Sequence, residues 1–233
     1  MIGTLRIYLA SLLHSFYPRR CVVCGTPLVE GEQGLCTRCV LCMPRTGYHT
    51  QEGNPVEVSF WGRAQLERAT SYFFYEKGSD FRHLLHRLKY GGRKDLGYLM
   101  GRVVGTELKE SDFLKDIDLL VPVPLHPRKQ RERGYNQSVC LAKGLSQVTG
   151  IPVDTTSLIR RRHHESQTRK RRYERWLNVA GIFALRHPER LAGKHLLLID
   201  DVLTTGATIT DCCDTLKEVE GVRISVFTLA VAQ

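Results

Sequence analysis

The sequence lacks the features of membrane and secreted proteins. No apolar run approaches the roughly 18 residues that a membrane-spanning helix needs. The apolar stretch Ile7–Leu13 is short, and the residues after it, Tyr17-Pro18-Arg19-Arg20-Cys21, do not form the small-residue cleavage site of a secretory signal. We therefore expect a cytoplasmic protein. Hydrophobic residues make up 42% and charged residues 25% of the 233 positions, which is typical of a globular protein.

Two common nucleotide-binding motifs are also missing. No G-x-G-x-x-G follows a predicted strand. Gly92 and Gly97 have the spacing of a P-loop, but Tyr98 and Leu99 follow them where lysine and serine or threonine are required. These absences argue against a dinucleotide-binding domain and against a P-loop nucleotidase.

Negative charge is scarce in one quarter of the chain. Residues 119–175 contain 13 basic and 4 acidic side chains, a balance of +9, while the whole chain carries +10. Such a concentration indicates binding of a polyanion or of phosphates. A solvated basic face that aids solubility is the alternative, and charge alone does not decide between them.

The eight cysteines are too few for a disulfide scaffold, but four of them are closely spaced. Cys21 and Cys24 form one C-x-x-C pair, and Cys36 and Cys39 form another, a spacing that predicts a structural zinc site. Two disulfides are the alternative, which a reducing cytoplasm disfavours. Cys42 continues the spacing, but four ligands are already present. We expect residues 1–60 to form a short amphipathic helix and a zinc ribbon.

The rest of the chain alternates predicted strands and helices. Strand-like segments are 71–75, 118–123, 195–201 and 222–231, and helical spacing of apolar residues occurs near 81–88, 96–103, 141–148 and 209–216. This order predicts an α/β domain over 61–233 with a mainly parallel sheet. Folds of this kind bind ligands beyond the carboxyl ends of their strands.

The predicted strand 195–201 leads into a loop of small and polar residues. Asp200 and Asp201 are followed by Thr204-Thr205-Gly206-Ala207-Thr208 and then by a helix. Backbone N–H groups at a helix start can hold a phosphate, whereas ionised carboxylates suit ribose hydroxyls or hydrated Mg²⁺. A ribose 5-phosphate offers both groups. Helix caps and turn residues are the plainer alternative, but they leave the adjacent acids unexplained.

At this point the chain resembles a known family. Leu198–Thr208 looks like the phosphoribosyl pyrophosphate signature of type I phosphoribosyltransferases, and further segments narrow the likeness to the ComF family of competence-associated proteins, including ComFC and GntX-like members. Those segments are Tyr17–Gly25, Cys36–Cys39, Leu88–Arg93, Val121–Leu125, Arg133–Gln137, Ser166-Gln167, Arg175 and Asn178-Val179.

The resemblance implies a type I phosphoribosyltransferase-like domain joined to a zinc ribbon. It implies that Asp200 and Asp201 hold the ribose hydroxyls of phosphoribosyl pyrophosphate, accompanied by Mg²⁺. The turn after Val121-Pro122-Val123 would approach the pyrophosphate, and Arg160–Arg175 would form a hood. The 5-phosphate would be held by Thr204, Thr205, Gly206, Ala207 and Thr208.

The basic stretch before residue 176 is a candidate for binding nucleic acid. Arginine interleaved with Tyr173 and Trp176 suits single-stranded DNA, through phosphate contacts and base stacking. The same arginines could instead neutralise a pyrophosphate, or the segment could be a solvated loop. The DNA-binding candidates are Arg169, Lys170, Arg171, Arg172 and Arg175.

Two functions remain open at this stage. The resemblance implies a cytoplasmic factor in DNA uptake and natural transformation, which binds single-stranded DNA and phosphoribosyl pyrophosphate and works with other uptake proteins such as a ComF-type helicase. The alternative is an active phosphoribosyltransferase that transfers ribose 5-phosphate to an unidentified acceptor. No side chain in the sequence stands out as a general base, so enzymatic activity stays undecided.

Overall fold

The computed structural model describes residues 19–161 and 181–232. In chain order, the strands β1–β6 are Ala69–Tyr75, Leu119–Pro122, Leu158–Arg160, Phe183–Leu185, His195–Leu203 and Arg223–Ala232. The α-helices α1–α7 are Thr37–Leu41, Pro55–Val58, Arg82–Tyr90, Lys94–Lys109, Pro127–Arg133, Gln137–Thr149 and Ala207–Leu216. Short 3₁₀ helices span Tyr48–Thr50, Asp112–Leu114 and Pro188–Arg190.

A four-stranded parallel sheet forms the centre of the protein, in the order β1-β6-β5-β2. Val226 on β6 pairs with Ala69 on β1 and with Leu198 on β5, and Leu198 pairs in turn with Val121 on β2. Continuous apolar strands of this kind need cover on both faces. The predicted α/β class and mainly parallel sheet are therefore confirmed.

Alternate residues of β5 point into two separate hydrophobic clusters, as the period of a strand requires. Leu197 and Ile199 pack with residues of α3, α4 and α6 and with the buried cysteines Cys21, Cys36 and Cys39. Leu196 and Leu198 pack with α7 and with Val56 and Phe60. The cysteine segment and the residues around α2 thus cover opposite faces of the sheet.

Helices α4 and α6 approach each other closely because glycines line their contact. A Cβ atom on Gly97 would lie 2.5 Å from the Cβ atom of Cys140, and a Cβ atom on Gly144 would overlap the backbone of Tyr98 and of Gly101. The close approach sets the position of α6, whose first residues reach the carboxyl end of the sheet.

Several short elements were not predicted from the sequence. Strands β3 and β4 form a small antiparallel sheet, in which Leu158 pairs with Leu185 and Arg160 with Phe183. Helix α5, which carries the basic residues Arg128 and Arg131, was likewise not predicted. Among the described residues, no helix is long and apolar enough to cross a membrane.

The glycine contact between α4 and α6 predicts the effect of Gly144→Ala. Alanine normally stabilises a helix by about 1 kcal/mol relative to glycine, but here its methyl group would overlap the backbone of α4. We expect a loss of about 1–3 kcal/mol in the free energy of unfolding, measured by chemical denaturation. Gly78→Ala is the control, because a Cβ atom there meets nothing within 4 Å. A Gly144→Ala protein as stable as the parent would contradict the close contact.

Candidate ligand-binding and metal sites

The acid pair lies near the carboxyl end of β5, within the strand. Asp201 is buried, with 6% of its surface exposed, and Asp200 is partly buried. The backbone N–H of Asp201 donates to Asp200 Oδ1 at 2.8 Å. Two adjacent carboxyl groups in the sheet are costly to bury unless other groups donate to them.

Two helices supply those donors. Ser138 Oγ donates to Asp200 Oδ1 at 3.0 Å, and Gln137 Nε2 donates to Asp201 Oδ2 at 3.0 Å. Both belong to the first turn of α6. The Lys89 ammonium, near the end of α3, lies 3.2 Å from Asp201 Oδ2. Each carboxylate is therefore held by at least one side chain from outside its own strand.

The start of α6 is itself fixed by Asn136 and Tyr135. Asn136 Oδ1 accepts from Ser138 N at 3.0 Å and so caps the helix, while its Nδ2 donates to the carbonyl of Val123 at 2.9 Å, just after β2. The Tyr135 hydroxyl donates to the carbonyl of Leu88. These bonds connect the donor helix to β2 and to α3, which carries Lys89.

Arg133 determines which way the Gln137 amide faces. Its Nη1 donates to Gln137 Oε1 at 3.0 Å, which leaves the amide NH₂ to face Asp201. The Arg133 guanidinium also lies over the Tyr90 ring, 5.1 Å from the ring centre. Gln137 thus links Asp201 to Arg133, and Arg133 in turn contacts the exposed ring of Tyr90.

The environment raises the pKa of Asp200 to about 7. Loss of solvation is the largest cause, and the negative charge of Asp201 adds to it. Hydrogen bonds from Asp201 N and Ser138 and the positive charge of Lys89 act in the opposite direction. The charge of the acid pair therefore changes near neutral pH.

The loop after β5 leads directly into α7. Thr204, Thr205, Ala207 and Thr208 are exposed, whereas Gly206 is buried and has a φ of +76°. A Cβ atom on Gly206 would lie 2.9 Å from the Phe60 ring, so only glycine fits without displacement. The exposed start of α7 offers backbone N–H groups of the kind that bind phosphate.

Arg63 adds a positive charge beside this loop. Its Nη1 donates to the carbonyl of Thr205 at 2.8 Å. Arg63 follows α2, on the segment that also carries Phe60, so the residues around α2 shape the loop from one side. The loop consequently combines exposed hydroxyls, a helix start and a guanidinium.

The second predicted site is a cluster of four cysteines. The Sγ atoms of Cys21, Cys24, Cys36 and Cys39 all lie within 4.8 Å of one another, and those of Cys24 and Cys36 are 3.7 Å apart. A tetrahedral zinc site with Zn–S bonds of about 2.3 Å places its sulfur atoms about 3.8 Å apart. The donor set therefore fits a structural metal ion. Cys42 is exposed and is not part of the cluster.

Local contacts change the pKa values of the cysteine thiols and connect the two C-x-x-C segments. Hydrogen bonds from Thr26 lower the pKa of Cys24 to about 6, whereas burial raises the pKa of Cys39. Glu32 accepts from the backbone N–H groups of Val29 and Thr37, at 3.0 and 2.6 Å, and so joins the two C-x-x-C segments.

The sequence did not assign roles to several residues of the acid-pair site. Lys89, Gln137 and Ser138 hold the carboxylates, and Arg63 contacts the loop. Lys89 and Gln137 lie in two of the segments that carried the family resemblance, which was the available signal. The predicted DNA-binding residues, Arg169, Lys170, Arg171, Arg172 and Arg175, lie outside the described residues.

Comparison with known proteins agrees with these features. The phosphoribosyl transferase domain family matches residues 136–232, from the cap of α6 to the end of β6. The DNA utilization protein YhgH of Escherichia coli K12 is 27% identical over 228 residues, which cover 91% of this chain and 96% of YhgH. Competence protein F of Haemophilus influenzae is 25% identical over 229 residues, which cover 94% and 99% of the two chains.

A third relative is similar over a shorter length. Competence protein ComFC of Bacillus subtilis is 35% identical over 112 residues, which cover 48% of this chain and 43% of ComFC. The similarity to these three proteins, the phosphoribosyl transferase match and the four-cysteine cluster all agree with the resemblance to the ComF family and support a phosphoribosyltransferase-like domain.

Proposed function

We propose that the protein acts in DNA uptake and that it binds phosphoribosyl pyrophosphate and single-stranded DNA. The names of its relatives, a DNA utilization protein and two competence proteins, support the role in DNA uptake. The proposed setting is the cytoplasm, where reducing conditions keep cysteine thiols available for a metal ion. Partners would include other uptake proteins, such as a ComF-type helicase.

The acid pair carries the phosphoribosyl part of the proposal. Three side-chain donors hold it, and an exposed loop and helix start follow it directly. Asp200 and Asp201 accept hydrogen bonds from the two ribose hydroxyls. Lys89, Gln137 and Ser138 keep the carboxylates in place, at 3.0–3.2 Å. The 5-phosphate accepts from the loop and the first turn of α7, at Thr204, Thr205, Gly206, Ala207 and Thr208.

The pyrophosphate of the ligand requires positive charge. We place it near the turn after Val121-Pro122-Val123, which follows β2 at the same edge of the sheet as the acid pair. Mg²⁺ bound with the pyrophosphate would neutralise part of its charge, and the partly ionised acid pair provides the oxygen ligands that Mg²⁺ or its water shell prefers.

Transfer of the ribose 5-phosphate to an acceptor is a second candidate function. The acid pair and loop favour it, since they resemble a type I phosphoribosyltransferase site and residues 136–232 match that domain family. Release of pyrophosphate in the presence of an acceptor distinguishes a working transferase from a protein that only binds the ligand.

The phosphoribosyl proposal predicts the behaviour of the double variant Asp200→Asn, Asp201→Asn. Asparagine keeps the shape but removes both negative charges, so binding of phosphoribosyl pyrophosphate with Mg²⁺ should fall at least 100-fold in calorimetric titration. Asp154→Asn is a control, because among the described residues the Asp154 carboxylate bonds only its own turn at Thr156 and Ser157. Equal affinity of the double variant and the parent for phosphoribosyl pyrophosphate would contradict the assignment of Asp200 and Asp201 to the ribose hydroxyls.

The same binding should depend on pH. Because the pKa of Asp200 is about 7, this carboxyl holds a proton at pH 6 and is ionised at pH 8. An ionised carboxylate is the better acceptor for ribose hydroxyls, so affinity should rise between pH 6 and pH 8. The ligand's own phosphates also titrate near pH 6, and Asp200→Asn separates the two effects by retaining only the ligand's contribution.

The cysteine cluster predicts one zinc ion for each chain. Elemental analysis of the purified protein should find about one zinc per chain, and Cys39→Ser should lose it. Cys42→Ser is the matched control, since Cys42 lies close in sequence but outside the cluster, and this variant should keep the metal. A metal-free protein whose cysteine segment is folded, shown by unchanged thermal unfolding after chelation, would refute the zinc site.

The basic segment predicts the salt dependence of DNA binding. Alanine at Arg169, Lys170, Arg171 and Arg172 should weaken binding of single-stranded DNA and reduce the slope of log affinity against log salt by up to ~3 units, at ~0.7 per phosphate contact. Sequence preference should be weak, because charge and stacking do not distinguish bases strongly. An unchanged slope would place DNA binding elsewhere, and the exposed arginines of α5 would be tested next.

A further inference from the structure

A cleft lies on the side of α6 that faces away from the acid pair. Its volume is about 370 Å³, within the range of small-molecule sites. Helix α4 forms one wall, the turn after β2 forms another, and α6 forms the floor. The turn after β2 is also where the proposed function places the pyrophosphate, but neither carboxylate of the acid pair nor the loop before α7 lines this cleft.

Helix α6 separates the cleft from the acid pair by its own periodicity. Asn136, Val139, Cys140 and Lys143 line the cleft and are spaced 3, 1 and 3 residues apart, which places them on one face of a helix. Gln137 and Ser138 lie at the intervening positions and contact Asp201 and Asp200. The two sites therefore share a helix but no side chain.

The charged side chains that line the cleft are both positive and both exposed. Lys94 and Lys143 both line it, and no acidic residue lines it among the described residues. The two ammonium groups lie close enough to lower the pKa of the buried Cys140 thiol, although burial raises that pKa by more. Within residues 19–161 and 181–232, neither lysine forms an ion pair with a carboxylate. An anion would give both lysines a partner.

The remaining walls combine neutral polar side chains, such as Gln130 and Thr155, with apolar and aromatic ones. Tyr98, Pro124 and Leu125 line the cleft, and Lys94 Nζ lies 5.9 Å from the centre of the Tyr135 ring. A few charged groups beside an apolar wall are typical of sites for small organic ligands. The close contact of Gly97 with Cys140 fixes the two main walls against each other, so the cleft is already formed without a ligand.

We propose that this cleft is a second binding site, separate from the acid pair, for a nucleoside monophosphate. Lys94 and Lys143 bind the phosphate, and the base lies against Tyr98, Pro124 and Leu125. The site adjoins the turn that the proposed function assigns to the pyrophosphate, but it goes beyond that function because it needs neither carboxylate of the acid pair nor the loop before α7.

Calorimetric titration with AMP tests the site on the intact protein. Lys143→Glu should weaken AMP binding at least tenfold, since it reverses a charge that faces the phosphate. Lys115→Glu is the matched control: it changes the net charge equally, and Lys115 is exposed before the amino end of β2, whereas the cleft adjoins the carboxyl end. Circular dichroism confirms that both variants fold.

The acid-pair double variant, Asp200→Asn with Asp201→Asn, distinguishes the two sites. It should bind AMP like the parent, whereas AMP bound at the phosphoribosyl site would be lost. Adenosine and inorganic phosphate, each offering half of the ligand, should bind more weakly than AMP. The proposal is overturned if AMP does not bind at millimolar concentration, or if the double variant loses AMP binding. It is also overturned if Lys115→Glu weakens AMP binding as much as Lys143→Glu does, or if inorganic phosphate binds as tightly as AMP. Titration of phosphoribosyl pyrophosphate in the same proteins reports on the proposed function independently.

Discussion

The burial of two adjacent carboxyl groups at the end of β5 is the constraint on which the candidate site depends. Asp200 and Asp201 lose much of their solvation, and each repels the other, so the fold must bring donors to them. It does so with Ser138, Gln137 and Lys89, which come from two different helices. A buried acid pair of this kind is suited to a ligand or a cation that offers further hydrogen-bond donors or positive charge.

The arrangement of the helices follows from that requirement. The first turn of α6 must reach the acid pair, and Asn136 secures it by capping α6 while bonding to the carbonyl of Val123. The glycines of α4 and α6 let the two helices pack at close range, which carries α6 along the face of the sheet. Stability and site geometry therefore depend on the same helix contact.

Much of the fold could be predicted because the core strands are continuous apolar runs. The strands β1, β2, β5 and β6 were expected from apolar runs, and the helices α3, α4, α6 and α7 from helical spacing. The strand bounds agree closely, whereas α4 ends six residues later and α6 begins four residues earlier than the predicted stretches. Strands β3 and β4 were missed because each has three residues, too few to show a period. Helix α5 was missed because its face is charged rather than apolar, although Pro127 at its first position is a typical start signal.

The site was predictable in part for a different reason. Local sequence order reveals Asp200, Asp201 and the loop after them, since a strand, an acid pair and a helix start are contiguous. Lys89 and Gln137 are distant in sequence, and their bonds to Asp201 depend on tertiary packing that no spacing rule describes. The four-cysteine cluster was easier to predict, because two C-x-x-C pairs already specify the local turns that bring the thiols together.

The central claim is that the acid pair and the loop before α7 together form a phosphoribosyl site. A crystal structure with phosphoribosyl pyrophosphate and Mg²⁺ tests it most directly. The account predicts both ribose hydroxyls within hydrogen-bond distance of Asp200 and Asp201, and the 5-phosphate against the backbone of Thr204–Thr208. A ligand bound elsewhere, with the acid pair still contacted only by Lys89, Gln137 and Ser138, would contradict it.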